Sequence, residues 1–147
     1  MPVKGIEPRD VPERFRPLFL ENPWVDSSGM EVLSYGDGKA TLRFPFDQRL
    51  TQYQGVTQGG VLSSYADAAI MTAVISVLPE GADTTTTDLS IAFVRPAKAG
   101  PLLAKAEVVE RGKTLVRSHA TVEVEGGAIC ARCNGTNMIL RPRDRKP

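Results

Sequence analysis

The hydrophobic pattern of the chain changes its period near Gly60. From Gly60 to Leu78, apolar residues recur every three or four positions, which predicts a single helix of about five turns. The other positions are mostly small residues, so the helix has no wide polar face. A helix of this kind is buried on nearly all sides, with other structure wrapped around it. We expect Pro79 and Gly81 to end it.

Residues on both sides of this helix alternate between apolar and polar, which predicts β-strands. The predicted strands are Met30–Tyr35 and Lys39–Pro45 before the helix, and Thr85–Val94, Leu102–Arg111, Thr114–Glu125 and Ala128–Leu140 after it. Glycine-containing turns separate several of them, as in antiparallel hairpins. This order of elements predicts an α+β fold, in which a curved antiparallel sheet of about six strands wraps around one long central helix.

Alternation also assigns faces within two of the strands. In the strand Thr85–Val94, it predicts that Leu89, Ile91 and Phe93 share one face and that Thr86, Asp88 and Ser90 share the other. In the strand Thr114–Glu125, it places His119, the only histidine of the chain, on the polar face. We therefore expect His119 to point to solvent.

Length and charge restrict the class of protein. A chain of 147 residues has the length of one domain, and we interpret 1–147 as a single domain with an N-terminal extension (1–26) and a basic tail (141–147). The extension contains a short predicted helix, Glu13–Leu20. A net charge of +1 argues against a nucleic-acid partner, and no apolar stretch is long enough to span a membrane. Because no signal peptide is evident either, we expect a cytoplasmic protein.

The two cysteines, Cys130 and Cys133, have the spacing of a metal-binding or redox motif. They fall in a predicted strand, where residues three apart point to opposite faces and cannot readily hold one ion. The chain has no second cysteine pair, and His119 is the only imidazole that a nucleophilic triad could use. We interpret both cysteines as packing residues and expect neither a metal nor a cofactor.

Asp67 is the only charged residue between Arg49 and Glu80. Its neighbours three and four positions away on the helix are uncharged, so no local cation offsets it. A carboxylate in so apolar a setting is typical of a general base. The alternative is that Asp67 faces a solvent gap or hydrogen-bonds a threonine elsewhere. Gly59 and Gly60 begin the same helix, where free N–H groups can bind an oxyanion. Asp67 lies about two turns further along, so the two features could frame one cleft.

These residues carry a resemblance. The segment Gln52-Tyr-Gln-Gly-Val-Thr-Gln-Gly-Gly60, followed by Ala66-Asp67-Ala68-Ala69, resembles the core motif of the hotdog-fold acyl-CoA thioesterases, most closely the phenylacetic-acid-degradation (PaaI-like) type. The strand that begins at Thr86 and ends in Pro96-Ala97 also resembles that family. The match in motif order and element type runs from about Gly29 to Leu140. The resemblance implies the hotdog fold and hydrolysis of acyl-CoA thioesters to a free acid and CoA.

The resemblance also implies roles for individual residues. The N–H of Gly59, next to Gly60, would polarise the thioester carbonyl, and Asp67 would act as general base or nucleophile. Gln52 would position the thioester or the water, and the Thr86 hydroxyl would assist that water. Gln58 stands where the family has a histidine that orients the glycine amide, and a glutamine also donates and accepts hydrogen bonds. The cations available for the CoA phosphates are Arg95, Arg111, Lys113 and the arginines of the tail.

Three classes of function share this fold. Thioester hydrolysis is the leading hypothesis, and a non-catalytic acyl-CoA-binding or regulatory module is the alternative that the substitution at Gln58 favours. A hydratase or dehydratase would need a histidine in the cleft, and His119 is poorly placed for it. The resemblance further implies a homodimer or homotetramer with its sites at the subunit interface, because a six-stranded sheet around one helix leaves edge strands open.

Overall fold

The computed structural model describes residues 3–142. Its elements, in chain order, are α1 (Arg16–Leu20), α2 (Pro23–Ser28), β1 (Glu31–Gly36), β2 (Lys39–Phe44), α3 (Gly59–Ile75), β3 (Asp83–Phe93), β4 (Leu102–Arg111), β5 (Leu115–Val124) and β6 (Ile129–Leu140). The six strands form one antiparallel sheet in the order β1-β2-β4-β5-β6-β3. No helix among these residues is long and apolar enough to cross a membrane. The α+β prediction of a six-stranded sheet around one long helix is confirmed.

Helix α3 is the central element, and ten of its seventeen residues are buried. It begins at Gly59 because the side chain of Gln58 caps it, with Oε1 accepting from the N–H of Gly60 at 2.5 Å. It ends at Ile75, three residues before the predicted end at Leu78. Ser76 is the C-cap residue, and its hydroxyl donates to the carbonyl of Ala73 at 2.6 Å and accepts from the N–H of Gly38 at 2.8 Å. The residues that follow lead as a turn into Pro79, which cannot continue a helix.

A one-residue bulge in β3 changes which side chains face α3. Thr86 pairs with Asn137 and Asp88 pairs with Thr136, so Thr87 is the extra residue. The bulge shifts the alternation, because one inserted residue exchanges the two faces of a strand. The sequence-based prediction that Thr86 lies on the face opposite Leu89 is therefore wrong. Thr86 points inward toward α3, as Leu89 does, while Asp88 is exposed on the other side.

The N-terminal segment is packed onto the sheet and helix. Phe15 and Phe19 are almost fully buried and form an aromatic cluster with Tyr35 on β1, with ring centroids 4.6–5.6 Å apart. The predicted helix at residues 13–20 is present as a 3-10 turn, Glu13–Phe15, continued by α1. Farther along, Trp24 contacts both Phe44 and Tyr65, so α2 lies over one end of α3. The segment contributes to the core and forms a wall beside the central helix.

The predicted basic tail lies mostly outside the described residues, since Arg143, Arg145 and Lys146 follow residue 142. Arg141 is described and exposed, and its guanidinium donates to the carbonyl of Lys113 at 3.1 Å.

Candidate active site

A chain of three hydrogen-bonded side chains connects α3 with the two neighbouring strands at the open edge of the sheet. The Thr86 hydroxyl donates to Oδ1 of Asp67 at 2.7 Å. Nδ2 of Asn137 donates in turn to Oγ1 of Thr86 at 3.2 Å. Asp67 is half-buried, and neither a salt bridge nor a donor to its Oδ2 occurs within residues 3–142. The carboxylate is thus held on one oxygen and free on the other.

The Asp67 cleft, lined by Leu18, Trp24, Asp67, Met71, Thr84 and Thr86 among others, has a volume of about 520 Å³. Its walls come from three parts of the chain: the N-terminal segment, α3 and β3. A larger groove of about 820 Å³ shares Leu18 and Met71 with this cleft and continues beside α3 toward Ala82. The carboxylate therefore opens onto a space the size of a small-ligand site, with apolar side chains such as Leu18, Trp24 and Met71 on part of its wall and threonine hydroxyls on another part.

The Gly59 cleft, about 300 Å³ in volume, lies at the N-terminus of α3 and is lined by Gln52, Gly59, Phe93 and Arg95 among others. In the first turn of α3, the N–H groups of residues 60, 61 and 62 all bond to Gln58. The N–H of Gly59 has no acceptor among the described residues. A free N–H at a helix N-terminus is a donor for an oxyanion.

Both glycines at this end of α3 lie close to neighbouring side chains. A Cβ on Gly59 would lie 3.0 Å from Cζ of Phe93, and a Cβ on Gly60 would lie 2.8 Å from Oε1 of Gln58. In the helix cap, the Gln58 side chain acts as an acceptor through Oε1. Gln52 makes a local pair with Gln54, in which Nε2 of Gln52 donates to Oε1 of Gln54 at 3.0 Å and Oε1 of Gln52 accepts from the Gln54 N–H.

Within a single chain, the glycine pair and Asp67 do not frame one cleft. Asp67 lines the Asp67 cleft, whereas Gly59 and Gln52 line the Gly59 cleft. The helix explains the separation, because eight residues at 1.5 Å each put Asp67 about 12 Å along the axis from Gly59. Because Asp67 and Gly59 line different clefts, one chain does not present both groups to the same thioester.

The remaining candidates are spread over the surface. Arg95 lies in the Gly59 cleft, whereas Arg111 and Lys113 line a separate cleft of about 330 Å³ with Pro79, beyond the other end of α3. His119 is exposed on β5 and lies 3.8 Å from Glu107, as its polar face predicts. Its side chain lies on the exposed face of the sheet, whereas Asn137 lies on the buried face that covers α3, so His119 does not enter the Asp67 cleft and the support for a dehydratase is lost.

Both cysteines are free and buried, as expected of packing residues. Burial and, to a smaller extent, the negative charge of nearby Asp67 together raise the pKa of the Cys133 thiol to about 11. Burial also raises the pKa of the Cys130 thiol. Because the thiolate is the reactive form, neither side chain is a nucleophile at neutral pH. Within residues 3–142 no group of three or more His, Cys, Asp and Glu side chains is arranged to hold a metal.

Comparison with known proteins shows the family to which this chain belongs. The sequence pattern of the thioesterase superfamily matches residues 54–131. A protein of Saccharolobus solfataricus that carries an esterase name is 33% identical to this chain over 113 residues. The matched residues cover 77% of this chain and 75% of that protein. The structure of a thioesterase family protein from Silicibacter pomeroyi has a TM-score of 0.81 at 29% identity, covering 88% of this chain and 97% of that one.

A phenylacetic acid degradation-related protein from Ralstonia eutropha shares the fold, with a TM-score of 0.77 at 24% identity over 86% of this chain and 99% of that one. The chain belongs to the thioesterase superfamily and has the hotdog fold, which confirms the resemblance read from its motif. Its class of activity is therefore hydrolysis of thioesters or esters.

The sequence pattern did not identify two parts of the candidate site. Asn137 is fully buried on the inward face of β6, and the signal was a polar residue at a position where alternation predicts an apolar one. Leu18 and Trp24 belong to a segment that was interpreted as an extension, and no local pattern links that segment to Asp67. The lone tryptophan beside a helix-start proline was the one indication that this segment packs against something.

Proposed function

We propose that the protein hydrolyses acyl-CoA thioesters to a free acid and CoA. The observation that carries this proposal is the Asp67 carboxylate, bound on one oxygen by Thr86 and open on the other to a cleft whose wall is apolar at Leu18, Trp24 and Met71. The apolar walls at Leu18 and Met71 suit an acyl group, and Asp67 stands where a base or nucleophile is needed. The free N–H of Gly59 supplies the donor for the carbonyl oxygen.

Each of these groups has its own role in the reaction. In the general-base form, a water oxygen bonds to the carbonyl carbon while its proton passes to Asp67. The carbonyl electron pair moves onto oxygen and is stabilised by the Gly59 N–H, helped by Gln52. The C–S bond then breaks, and the CoA thiolate leaves and takes up a proton. In the nucleophilic form, an Asp67 oxygen bonds to the carbonyl carbon, the C–S bond breaks and the CoA thiolate leaves and takes up a proton. Water then hydrolyses the mixed anhydride, which releases the acid and restores the Asp67 carboxylate.

A complete site needs two copies of the chain. Strand β3 is an edge of the sheet, eleven residues long, and none of residues 3–142 forms a strand on its outer side, whereas the N-terminal segment covers part of the β1 edge through Lys4. The Asp67 cleft adjoins the Thr84–Thr86 end of β3, and the Gly59 cleft adjoins its Phe93 end. Antiparallel pairing of two β3 strands about a two-fold axis brings the Thr86 end of one against the Phe93 end of the other. Each site then joins Asp67 and Thr86 of one copy to Gly59 and Gln52 of its partner.

Subunit mixing tests the shared site. We expect Asp67→Asn and Gly59→Pro each to be nearly inactive alone, and their co-assembly to restore roughly a quarter of wild-type activity. The reason is that half of randomly assembled dimers are mixed, and each mixed dimer has one site with both halves intact. The readout is kcat of co-expressed, doubly tagged protein.

The matched control mixes Asp67→Asn with Thr86→Val, two changes in the same half of the site. This mixture has no fully intact site and should not exceed the residual activity of the Thr86 variant. Light scattering at micromolar concentration should give the mass of a dimer or tetramer. A monomeric mass, or no recovery in the first mixture, would count against the shared site.

Arg95 is proposed to bind a phosphate of CoA because it shares a cleft with Gly59 and is exposed. Arg95→Ala should raise KM for acyl-CoA severalfold and leave KM for the matching acyl-pantetheine thioester, which lacks the nucleotide, unchanged. Arg111→Ala and Lys113→Ala are tested in the same way. Equal effects on both substrates would remove a residue from the phosphate site.

A non-catalytic acyl-CoA-binding module is the second candidate, and Gln58 is the observation that favours it. Its Oε1 is occupied by the helix cap, at the position where the family has a histidine. The deciding experiment is a hydrolysis screen over short-, medium- and long-chain and aryl-CoA thioesters, with binding measured in parallel. Turnover that Asp67→Asn abolishes supports the enzyme, whereas tight binding without turnover supports the module.

A further inference from the structure

Asn137 is a fully buried polar side chain whose contacts all lead toward the proposed site. Its Nδ2 donates to Oγ1 of Thr86 at 3.2 Å and lies 3.3 Å from Sδ of Met71, a residue that lines the Asp67 cleft. Its Oδ1 has no hydrogen-bond partner among residues 3–142. A buried oxygen without a partner costs stability, so a residue kept in this state calls for an explanation beyond packing.

The contacts of Asn137 determine where the Thr86 proton points. An amide nitrogen only donates, so its bond to Thr86 uses a lone pair of Oγ1. The single hydroxyl proton of Thr86 must then be directed elsewhere, and Oδ1 of Asp67 lies 2.7 Å away to accept it. Without the amide, the hydroxyl can rotate, and it can also accept a hydrogen bond instead of donating one. The amide therefore fixes both the orientation of the hydroxyl and the direction of its hydrogen bond.

We infer that Asn137 is a positioning residue of the active site, which acts through Thr86 to hold Asp67 with Oδ1 occupied and Oδ2 free for the reaction. The inference rests on the proposed thioesterase activity. Asn137 touches no substrate, since its side chain has no exposed surface. Its effect should therefore fall on kcat and leave KM nearly unchanged.

The test is a double-mutant cycle on the full-length protein, with the best acyl-CoA substrate from the screen. Asn137→Leu keeps the branching at Cγ and removes the donor, and Thr86→Val keeps the shape of the threonine without its hydroxyl. We expect Asn137→Leu alone to lower kcat by about tenfold, as for the loss of one neutral hydrogen bond. In the Thr86→Val background, the same change should have no further effect, because the hydroxyl it positions is absent.

A purely structural role predicts a different result. In that case Asn137→Leu would lower the melting temperature and reduce activity equally with and without Thr86. If Asn137 acts by positioning Thr86, the melting temperature of Asn137→Leu should be unchanged or raised, since the unpartnered Oδ1 is removed. Asn137→Ala is a second variant in case leucine does not fit, and Asn134→Ala, at an exposed position of the same strand, is the matched control and should retain wild-type kcat.

The outcomes separate this inference from the proposed function. If Asp67→Asn abolishes turnover while both Asn137 variants keep wild-type kcat, the thioesterase assignment stands and the role of Asn137 is refuted. Additive losses from the two variants would also refute it. If the wild-type protein hydrolyses no thioester in the screen, the proposed function fails, and the role of Asn137 fails with it.

Discussion

Asp67→Asn is expected to lower kcat at least about a hundredfold, the lower end of what a general base contributes. The amide keeps the shape of the side chain and an oxygen that accepts from Thr86, but it cannot take a proton from water or attack a carbonyl carbon. KM should change little, because the walls of the cleft are unaltered. The measurement is steady-state kinetics on the best acyl-CoA substrate, with circular dichroism to confirm the fold.

The stability of the same variant provides a second readout. Asp67 has no salt bridge among the described residues, so replacing the carboxylate by an amide should leave the melting temperature unchanged or raise it. Asp37→Asn is the matched control, since it removes one exposed carboxylate at the β1–β2 turn and should retain activity. Thr86→Ala should lower kcat less than Asp67→Asn, because the hydroxyl assists the step. Wild-type turnover by Asp67→Asn would overturn this assignment of the site.

Gly59→Pro is expected to lower kcat by about a hundred- to a thousandfold, as for removal of one oxyanion donor. Proline is well tolerated at the first position of a helix, and it has no N–H. The preceding residue, Gln58, has φ −62° and ψ 139°, a conformation that proline also favours before it. The substitution therefore removes the proposed donor while the start of α3 is preserved.

Gly59→Ala is the matched control for this substitution. It introduces the same Cβ, 3.0 Å from Cζ of Phe93, but keeps the N–H. Phe93 is 55% exposed and its ring can move aside, so the alanine variant should retain most of the wild-type kcat. Equal losses in the two variants would show that crowding against Phe93, and not the missing donor, is responsible.

Local sequence pattern was enough to predict the elements of the fold and half of the candidate site. The period of three to four residues after Gly60 predicted a buried helix, because the spacing of apolar residues reports which sides of a helix are covered. The turn at Gly36-Asp37-Gly38 predicted the first hairpin, and all three residues adopt positive φ there. Asp67 was recognisable as a site residue because it is the only charge in a segment of otherwise uncharged residues.

Only the tertiary structure decided how those residues meet. Strict alternation predicted that Thr86 faces away from α3. In the structure Thr86 faces α3, because the bulge at Thr87 adds one residue and so exchanges the faces of the strand. The partner that orients Thr86 is Asn137, 51 residues away in sequence and adjacent only through the pairing of β3 with β6. The separation of Gly59 from Asp67 likewise follows from the rigid rise of one helix between them. The sequence determines which residues have the chemistry, whereas strand register and helix length, which depend on long-range packing, determine which of them act together.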